Sequence, residues 1–388
     1  MWLSPVYAVF MQNHGMSDMQ ISSLLILWSV GVLITQIPVT WAAAKCGAKN
    51  VLFMGQALKA AAFILWLIWP TYAGFALGMF LWGMHGAIYN VVSEDILYDE
   101  IKARTHANVY TRILGRRKNL ASAGMALSAA GSLLLFFGYE WVTAASIISL
   151  VISMLFVMRL HLFEEYSGVQ NGASFIAQMR AGISIMRTTP AIIIMLGLSV
   201  MVTNFSYLND YLSLIGVDIG LPAEYIGIVP FFILCCQVLG QTYAHRFARV
   251  RPVYMYMMII AAGVLFGLFA LYYELAGLLA LGAAYVICSV IKILLYARFQ
   301  DLTPTKYRME ILSMYSIADQ LTYMFVCLVI GLGSMIGGGS WRYSVLILGI
   351  MLAALGIFAL GFARRGRMRA MPDATPVVTM RPNGADVI

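Results

Sequence analysis

Lys292 and Asp319 each stand inside a long apolar run, and the two runs are joined by the short polar stretch FQDLTPTKYRME. If one helix descends over residues 277–300 and the next climbs from 309, both residues lie roughly 12 to 15 Å deep from the same face. An isolated charge at that depth costs several kcal/mol, so ionisable residues there face a bundle interior, find a partner and mark a pathway. The spacing predicts that Lys292 and Asp319 pair. Tyr285, Ser289, Lys292 and Tyr296 recur at i, i+4, i+7 and i+11, and Ser316, Asp319, Tyr323 and Cys327 form a similar stripe, so each helix has one polar side. Such a pair is either a buried ion pair that fixes an arrangement or a site for a proton and a polar solute. In the second case Asp319 is the first candidate for carrying a proton, with Lys292 as its partner or as the solute's anchor.

Other polar residues fall on helical faces in the same way. His85, Tyr89 and Ser93 recur at i, i+4 and i+8, and Thr203, Tyr207 and Asp210 at i, i+4 and i+7. Gln36 and Gln241 occupy corresponding places in the two parts of the chain. Tyrosine and amide groups offer hydrogen bonds without a full charge. The cavity candidates are therefore Lys292, Tyr285, Tyr296, Tyr323, Gln36, Gln241, Tyr89 and Tyr207. Asp210 and His85 join Asp319 as candidates for a coupled proton. Against this, Asp210 also reads as a solvated helix end, and His85 as a hydrogen-bonded residue of the bundle. Lys59 is about ten residues into its own span; it either reaches into the bundle or snorkels along its stem to the nearer face, and the sequence favours snorkelling.

The elements that hold these residues must be membrane helices. Of 388 residues, 61% are hydrophobic and only 11% charged, far from the roughly 45–50% apolar and 25% charged of soluble domains. Apolar stretches of spanning length fall near 18–42, 50–69, 72–97, 117–138, 140–163, 189–213, 223–246, 252–273, 277–300, 309–335 and 341–363. A further fragment, LSPVYAVFMQNH, covers only about 18 Å of a hydrocarbon core about 30 Å thick. It predicts a first helix that is cut short, with the start codon upstream; no basic segment precedes it as a signal peptide would require. Counting the fragment, the fold class is an all-α membrane protein of twelve spans.

Every Lys and Arg except Lys59, Lys292 and Arg342 falls on one side of these spans. Positive residues stay inside, so that side is cytoplasmic, with both termini on it, in a multi-pass inner-membrane protein. The net charge of +8 is thereby a topology signal, and no nucleic-acid partner is predicted. The five cysteines have no spacing with His that would suit a metal. No GxxxxGK[ST] loop, HExxH helix or intact GxSxG elbow is present, so neither an enzyme nor a cofactor is predicted. The Gly337 to Gly339 run reads as a turn. Residues 121–131 are rich in Ala, Ser and Gly, which permits close helix packing.

The chain divides into 1–163, a bundle of six helices; 164–187, a cytoplasmic linker whose FIAQMRAGISIM part is amphipathic; 188–363, a second bundle of six; and 364–388, a polar tail expected to be disordered. At an offset of 205, Gly15 matches Gly220, Ile21 matches Ile226 and Gln36 matches Gln241, as repeated halves with a site between them require.

Three stretches carry a family resemblance over essentially the whole chain. TWAAAKCGAKNVL (40–52) is similar to the loop GxLaDrxGrkxxl of the major facilitator superfamily: Gly47 and Lys49 match and Lys45 stands for Arg, while Thr40, Ala44 and Ala48 depart from the pattern. WGMHGAIYNVVSEDILYDEI (82–101) resembles a fourth helix ending EALLYDxL, with Glu94, Leu97, Tyr98 and Asp99 in place. QDLTPTKYRMEILS (300–313) resembles the link QDxIPxxxRATxxS through Gln300, Asp301, Pro304, Arg308 and Ser313. The resemblance implies two pseudo-symmetric six-helix bundles rocking about a central cavity, and a monomeric secondary carrier. Its partners would be the lipid bilayer, protons and a small polar solute, anionic in view of the buried Lys292, Lys59 and His85. An exporter of amphipathic compounds such as drugs or siderophores, and a sensor of the same fold that moves nothing, are the other two readings. Because Ala44 replaces the Asp that closes the cytoplasmic gate in the family, the chain is expected to favour an inward-facing state, or to close through Glu94, Asp95 or Asp99 against Arg112, Arg116 and Arg308. Lys45, Gly47 and Lys49 complete the gate candidates.

Overall fold

A computed structural model describes residues 2–104, 120, 123–159, 184, 190–247, 250–303 and 308–364. Among these residues every regular element is a helix. A short α1 (Tyr7–Asn13) turns at Gly15, whose φ of +81° suits glycine. Ser17 then opens α2 (Asp18–Cys46) with a capping box: its Oγ accepts from the Gln20 N–H and its own N–H donates to Gln20 Oε1. Gly47, at φ +83°, is the single residue between α2 and α3 (Ala48–Ile68). There follow α4 (Tyr72–Arg104), α5 (Ala123–Phe137, tightening to a 3-10 helix from Ala130) and α6 (Tyr139–Arg159). The later elements are α7 (Pro190–Phe205), α8 (Leu212–Asp218), α9 (Ile228–Tyr243), α10 (Pro252–Leu271), α11 (Leu278–Leu302), α12 (Arg308–Ile336) and α13 (Arg342–Arg364).

Nine described helical segments are long and apolar enough to cross a bilayer, and Ala123–Phe137 and Ala191–Phe205 are shorter apolar helices. Large apolar side chains, Phe137, Phe156, Phe358 and Ile336 among them, are 70% or more exposed, which a membrane protein requires of its lipid-facing surface. The positive φ values of Gly338 and Gly339 make the α12–α13 link a tight turn. The predicted linker, residue 184 excepted, lies outside the described residues, as do residues 365–388.

Small residues set the closest packing. A Cβ on Gly83 of α4 would come 2.1 Å from the Trp28 carbonyl oxygen of α2, and one on Gly31 would come 2.5 Å from that of Phe80. Gly240 of α9 lies equally close to Val286 of α11. In the small-residue part of α5, Gly131 packs against the backbone of Trp2. Beneath α1 an aromatic cluster of Tyr7, Phe63, Trp66, Phe75 and Trp82 fills the space between α3 and α4, with Trp66 and Trp82 centroids 5.8 Å apart.

Among the described residues α1–α6 meet α7–α13 chiefly where α2 lies along α12, where α1 meets α8, and where the end of α5 meets the turn at Ala223–Tyr225. These contacts are close. A Cβ on Gly331 would come 2.8 Å from Ser22, and one on Gly227 would come 2.2 Å from the Ala129 carbonyl oxygen.

The span predicted over 189–213 is not one helix. Its ladder stops at Phe205 and resumes at Leu212, so Thr203, Tyr207 and Asp210 do not share a continuous helical stripe.

Candidate functional site

The break in that span is made by its own polar residues, TNFSYLND (203–210). Asn204 Nδ2 donates back to the Val200 carbonyl at 3.0 Å and Ser206 Oγ to that of Val202 at 2.7 Å. The Leu208 N–H donates to the Tyr285 hydroxyl, 2.9 Å away on α11, a side-chain bond in place of a helical one. Tyr285, expected to line a cavity, is instead 1% exposed and holds this unwound backbone.

The unwound turn carries Asp210 into the seam between the two sets of helices. Tyr7 of α1 donates its hydroxyl to Asp210 Oδ1 at 2.8 Å, and Tyr323 of α12 donates to Oδ2 at 2.7 Å. Asp210 is therefore no solvated helix end, because both carboxylate oxygens are engaged by phenols. Tyr323 is 7% exposed, and its ring packs edge-on against Trp28 of α2 at 5.8 Å and Tyr207 at 5.9 Å. Next along the chain, the Tyr211 hydroxyl donates to Ser22 Oγ of α2 at 3.1 Å. Nearer the Met11–Ser17 turn, Asp18 accepts from Ser334 of α12 and, at 3.5 Å, from Gln12. Each set of helices thus offers a carboxylate to hydroxyls of the other: Asp210 to Tyr7, and Asp18 to Ser334.

Asp319 lies deeper along α12. Its Oδ1 accepts from Asn204 Nδ2 at 2.9 Å. Lys292 of α11 lies in electrostatic range of it without closing on it within 4.0 Å. The predicted direct pair is corrected accordingly: the carboxylate's bonded partner is the amide of the α7 break, and the ammonium is a neighbour. Tyr315 joins this layer through Ser199, 3.2 Å away. Across the seam, Ser29 of α2 donates to Gln320 Oε1, and Gln36 Nε2 donates to Ser316 Oγ at 2.9 Å. Tyr296 is 40% exposed and packs on Tyr315 and Phe299. Gln241 is exposed on α9, away from this layer.

Lys59 does not snorkel. It is 8% exposed, with Nζ 4.6 Å from the Trp82 ring centroid and 5.9 Å from that of Phe63. The aromatic faces of α3 and α4 attract the ammonium inward, an interaction the spacing of a single helix does not register. His85 is buried, its Nδ1 3.0 Å from the Gly55 carbonyl oxygen, and its ring stacks near that of the half-exposed Tyr89 at 6.1 Å.

The sequence profile described as Major Facilitator Superfamily matches residues 1–299. The chain belongs to the major facilitator superfamily. No curated protein matches the sequence. Among solved structures, the nucleoside transporter NupG, solved as a point mutant, is similar at a TM-score of 0.77 and 12% identity, over 93% of this chain and 94% of that one. The D-xylose-proton symporter is similar at 0.67 and 12%, over 89% and 88%. The inward-open xylose transporter XylE from E. coli is similar at 0.65 and 13%, over 93% and 90%. At these identities the likeness is one of fold, and it agrees with the all-helical membrane class read from the sequence.

Members of the superfamily are transporters, and the candidate cytoplasmic gate residues of this chain fall only partly within the described residues. Lys45 is exposed with its Nζ 4.9 Å from the Trp41 ring; Gly47 makes the one-residue turn, and Lys49 is half-buried. Arg112 and Arg116 lie outside the described residues, as do the side chains of Glu94, Asp95, Asp99 and Arg308. The sequence reading did not single out Tyr7, Asp18, Asn204, Tyr211, Gln320 or Trp82. Asn204 had a signal, being an amide near Asp210 in an otherwise apolar span.

Proposed function

We propose that this protein is a secondary active transporter that moves a small polar, anionic organic solute across the inner membrane by alternating access, driven by protons. The observation that carries the proposal is Asp210, a carboxylate at the seam clasped by Tyr7 from one set of helices and Tyr323 from the other. Two bundles, residues 1–163 and 188–363, would move against each other, with the arginine-rich face cytoplasmic and both termini on it. On that assignment the described seam contacts, Tyr7 to Asp210, Tyr211 to Ser22 and Ser334 to Asp18, close the outer side.

An ionised carboxylate accepts both phenol hydrogens in charge-assisted bonds, which are roughly twice as strong as neutral ones. A proton on Asp210 removes that charge and turns one oxygen into a donor, which weakens the phenol bonds but removes the larger cost of holding a carboxylate away from water. The closed form therefore favours the protonated acid, and by reciprocity protonation favours closing. A proton taken up outside would therefore close the outer side, and its release inside would let that side reopen. Asp319, with Asn204 and Lys292 around it, is the second proton site in this scheme, and His85 the third. At the cytoplasmic gate, Ala44 supplies no carboxylate, and Glu94, Asp95 or Asp99 would meet Arg112, Arg116 and Arg308 instead. The likeness to structures titled as a proton symporter and a nucleoside transporter supports the carrier reading.

Counterflow tests it. Proteoliposomes holding the purified protein are preloaded with single members of a metabolite panel and diluted into tracer of the same compound. Transient accumulation of tracer supports a carrier. Saturable binding without exchange for every compound bound would make the protein a receptor of the same fold.

A further inference from the structure

Of two lysines within the spans Lys59 is buried and Lys292 half-buried, and their surroundings differ. Lys292 has the Asp319 carboxylate in electrostatic range. Lys59 has none: among the described residues no carboxylate reaches it, and His85 of α4 lies within its electrostatic range. His85, neutral or protonated, cannot supply the missing negative charge. Its Nδ1 faces a carbonyl oxygen at 3.0 Å, so the proton sits on Nδ1 and a lone pair remains on Nε2. The Trp82 and Phe63 rings offset part of the desolvation of the ammonium, but a ring quadrupole does not neutralise a charge. Among the described residues of the same helices three polar atoms are buried with no hydrogen-bond partner, Gln56 Oε1, one turn before Lys59, Trp66 Nε1, two turns after it, and Thr35 Oγ1 on α2. Buried polar atoms are ordinarily satisfied, so a lone cation beside orphaned polar atoms marks a place that a ligand completes.

Trp82 links this place to the seam. One contact of its ring carries the Lys59 ammonium at 4.6 Å, and another meets the ring of Tyr7 at 5.2 Å, whose hydroxyl is on Asp210.

We propose that Lys59 is the counter-charge for the carboxylate of the solute, and that the solute is a monocarboxylate with an apolar or aromatic body lying against Trp82 and Phe63. One unneutralised cation matches one negative charge; a dianion would bring a second charge into the same low-dielectric space without a partner. The aromatic wall favours hydrocarbon next to the carboxylate. That the monocarboxylate is transported rests on the carrier reading above; that it binds at Lys59 does not.

The test is thermal unfolding of the purified full chain at pH 7 with sodium benzoate, the neutral isostere benzamide and the dianion phthalate, for wild type, Lys59→Gln and Lys292→Gln. Benzoate is expected to raise the Tm of wild type and Lys292→Gln and to leave Lys59→Gln unmoved, with no shift from benzamide or phthalate. An equal benzoate shift in Lys59→Gln, a larger shift with phthalate, or no benzoate shift in wild type overturns the assignment. A second readout does not depend on Lys59→Gln folding. Benzoate is expected to change the tryptophan emission of wild type, and Trp82→Phe, one of 8 tryptophans, is expected to abolish that change. Emission that still responds in Trp82→Phe counts against the site. Counterflow of benzoate separates the two readings: a Tm shift without exchange removes the carrier and keeps the site, whereas exchange that survives in Lys59→Gln does the reverse.

Discussion

The Asp210 clasp makes an asymmetric prediction. Tyr7 and Tyr323 donate to the same carboxylate at 2.8 and 2.7 Å, so replacing either by Phe deletes a nearly identical bond and little else. A hydrogen bond to a charged group contributes about 1.5 to 3 kcal/mol. The consequences differ because Tyr7 belongs to α1, across the seam, while Tyr323 belongs to α12, on the side of Asp210. If the seam parts when the outer side opens, only the Tyr7 bond is lost in the motion. Tyr7→Phe should therefore shift the closed-to-open equilibrium roughly 10- to 150-fold toward open, whereas Tyr323→Phe should lower stability while moving the equilibrium much less. The reporter is Ser132→Cys, 3% exposed where α5 packs on Gly227, with the exposed Cys46 and Cys235 replaced by Ser. Its labelling rate with a membrane-impermeant maleimide added outside should rise by the same factor in Tyr7→Phe. Labelling within about twofold of the parent, or an equal rise in Tyr323→Phe, would refute the reasoning.

Two further predictions concern stability. In a double-mutant cycle of Asp319→Asn and Lys292→Gln, each single change should destabilise by about 1 to 3 kcal/mol and the pair by less than the sum; additivity in denaturant unfolding would show that the two do not sense each other. Gly83→Ala places a methyl group against the Trp28 carbonyl at the α2–α4 contact and should cost about 1 to 3 kcal/mol by overpacking, read as a lower Tm; an unchanged Tm would mean the two helices separate freely.

What the sequence made legible was decided by local rules. The spans could be read because about 20 apolar residues are needed whatever their neighbours, and the turns at Gly47 and Gly337 to Gly339 because positive φ is a property of the residue. The α7–α8 break was not legible, because the groups that stabilise it, Tyr285 and Asp319, are 77 and 115 positions from their partners Leu208 and Asn204. Asp18 reads as an ordinary first-turn acid on α2; its Ser334 contact spans 316 positions. The depth of Lys59 followed from counting residues, but its direction depended on Trp82, on another helix. Tyr7, in the short N-terminal fragment, gave no sign that its hydroxyl would meet Asp210 203 positions away.

The central claim, that proton binding at Asp210 governs opening of the outer seam, is tested most directly by the distance between spin labels at Phe137→Cys on α5 and Tyr225→Cys on the facing turn. Both native residues are exposed, and the elements that carry them are in contact. Pulsed dipolar spectroscopy in lipid nanodiscs should give a longer distance whose share shrinks as pH falls, and a short one that dominates at all pH values in Asp210→Asn. A distribution of distances unmoved by acid and by Asp210→Asn would contradict it.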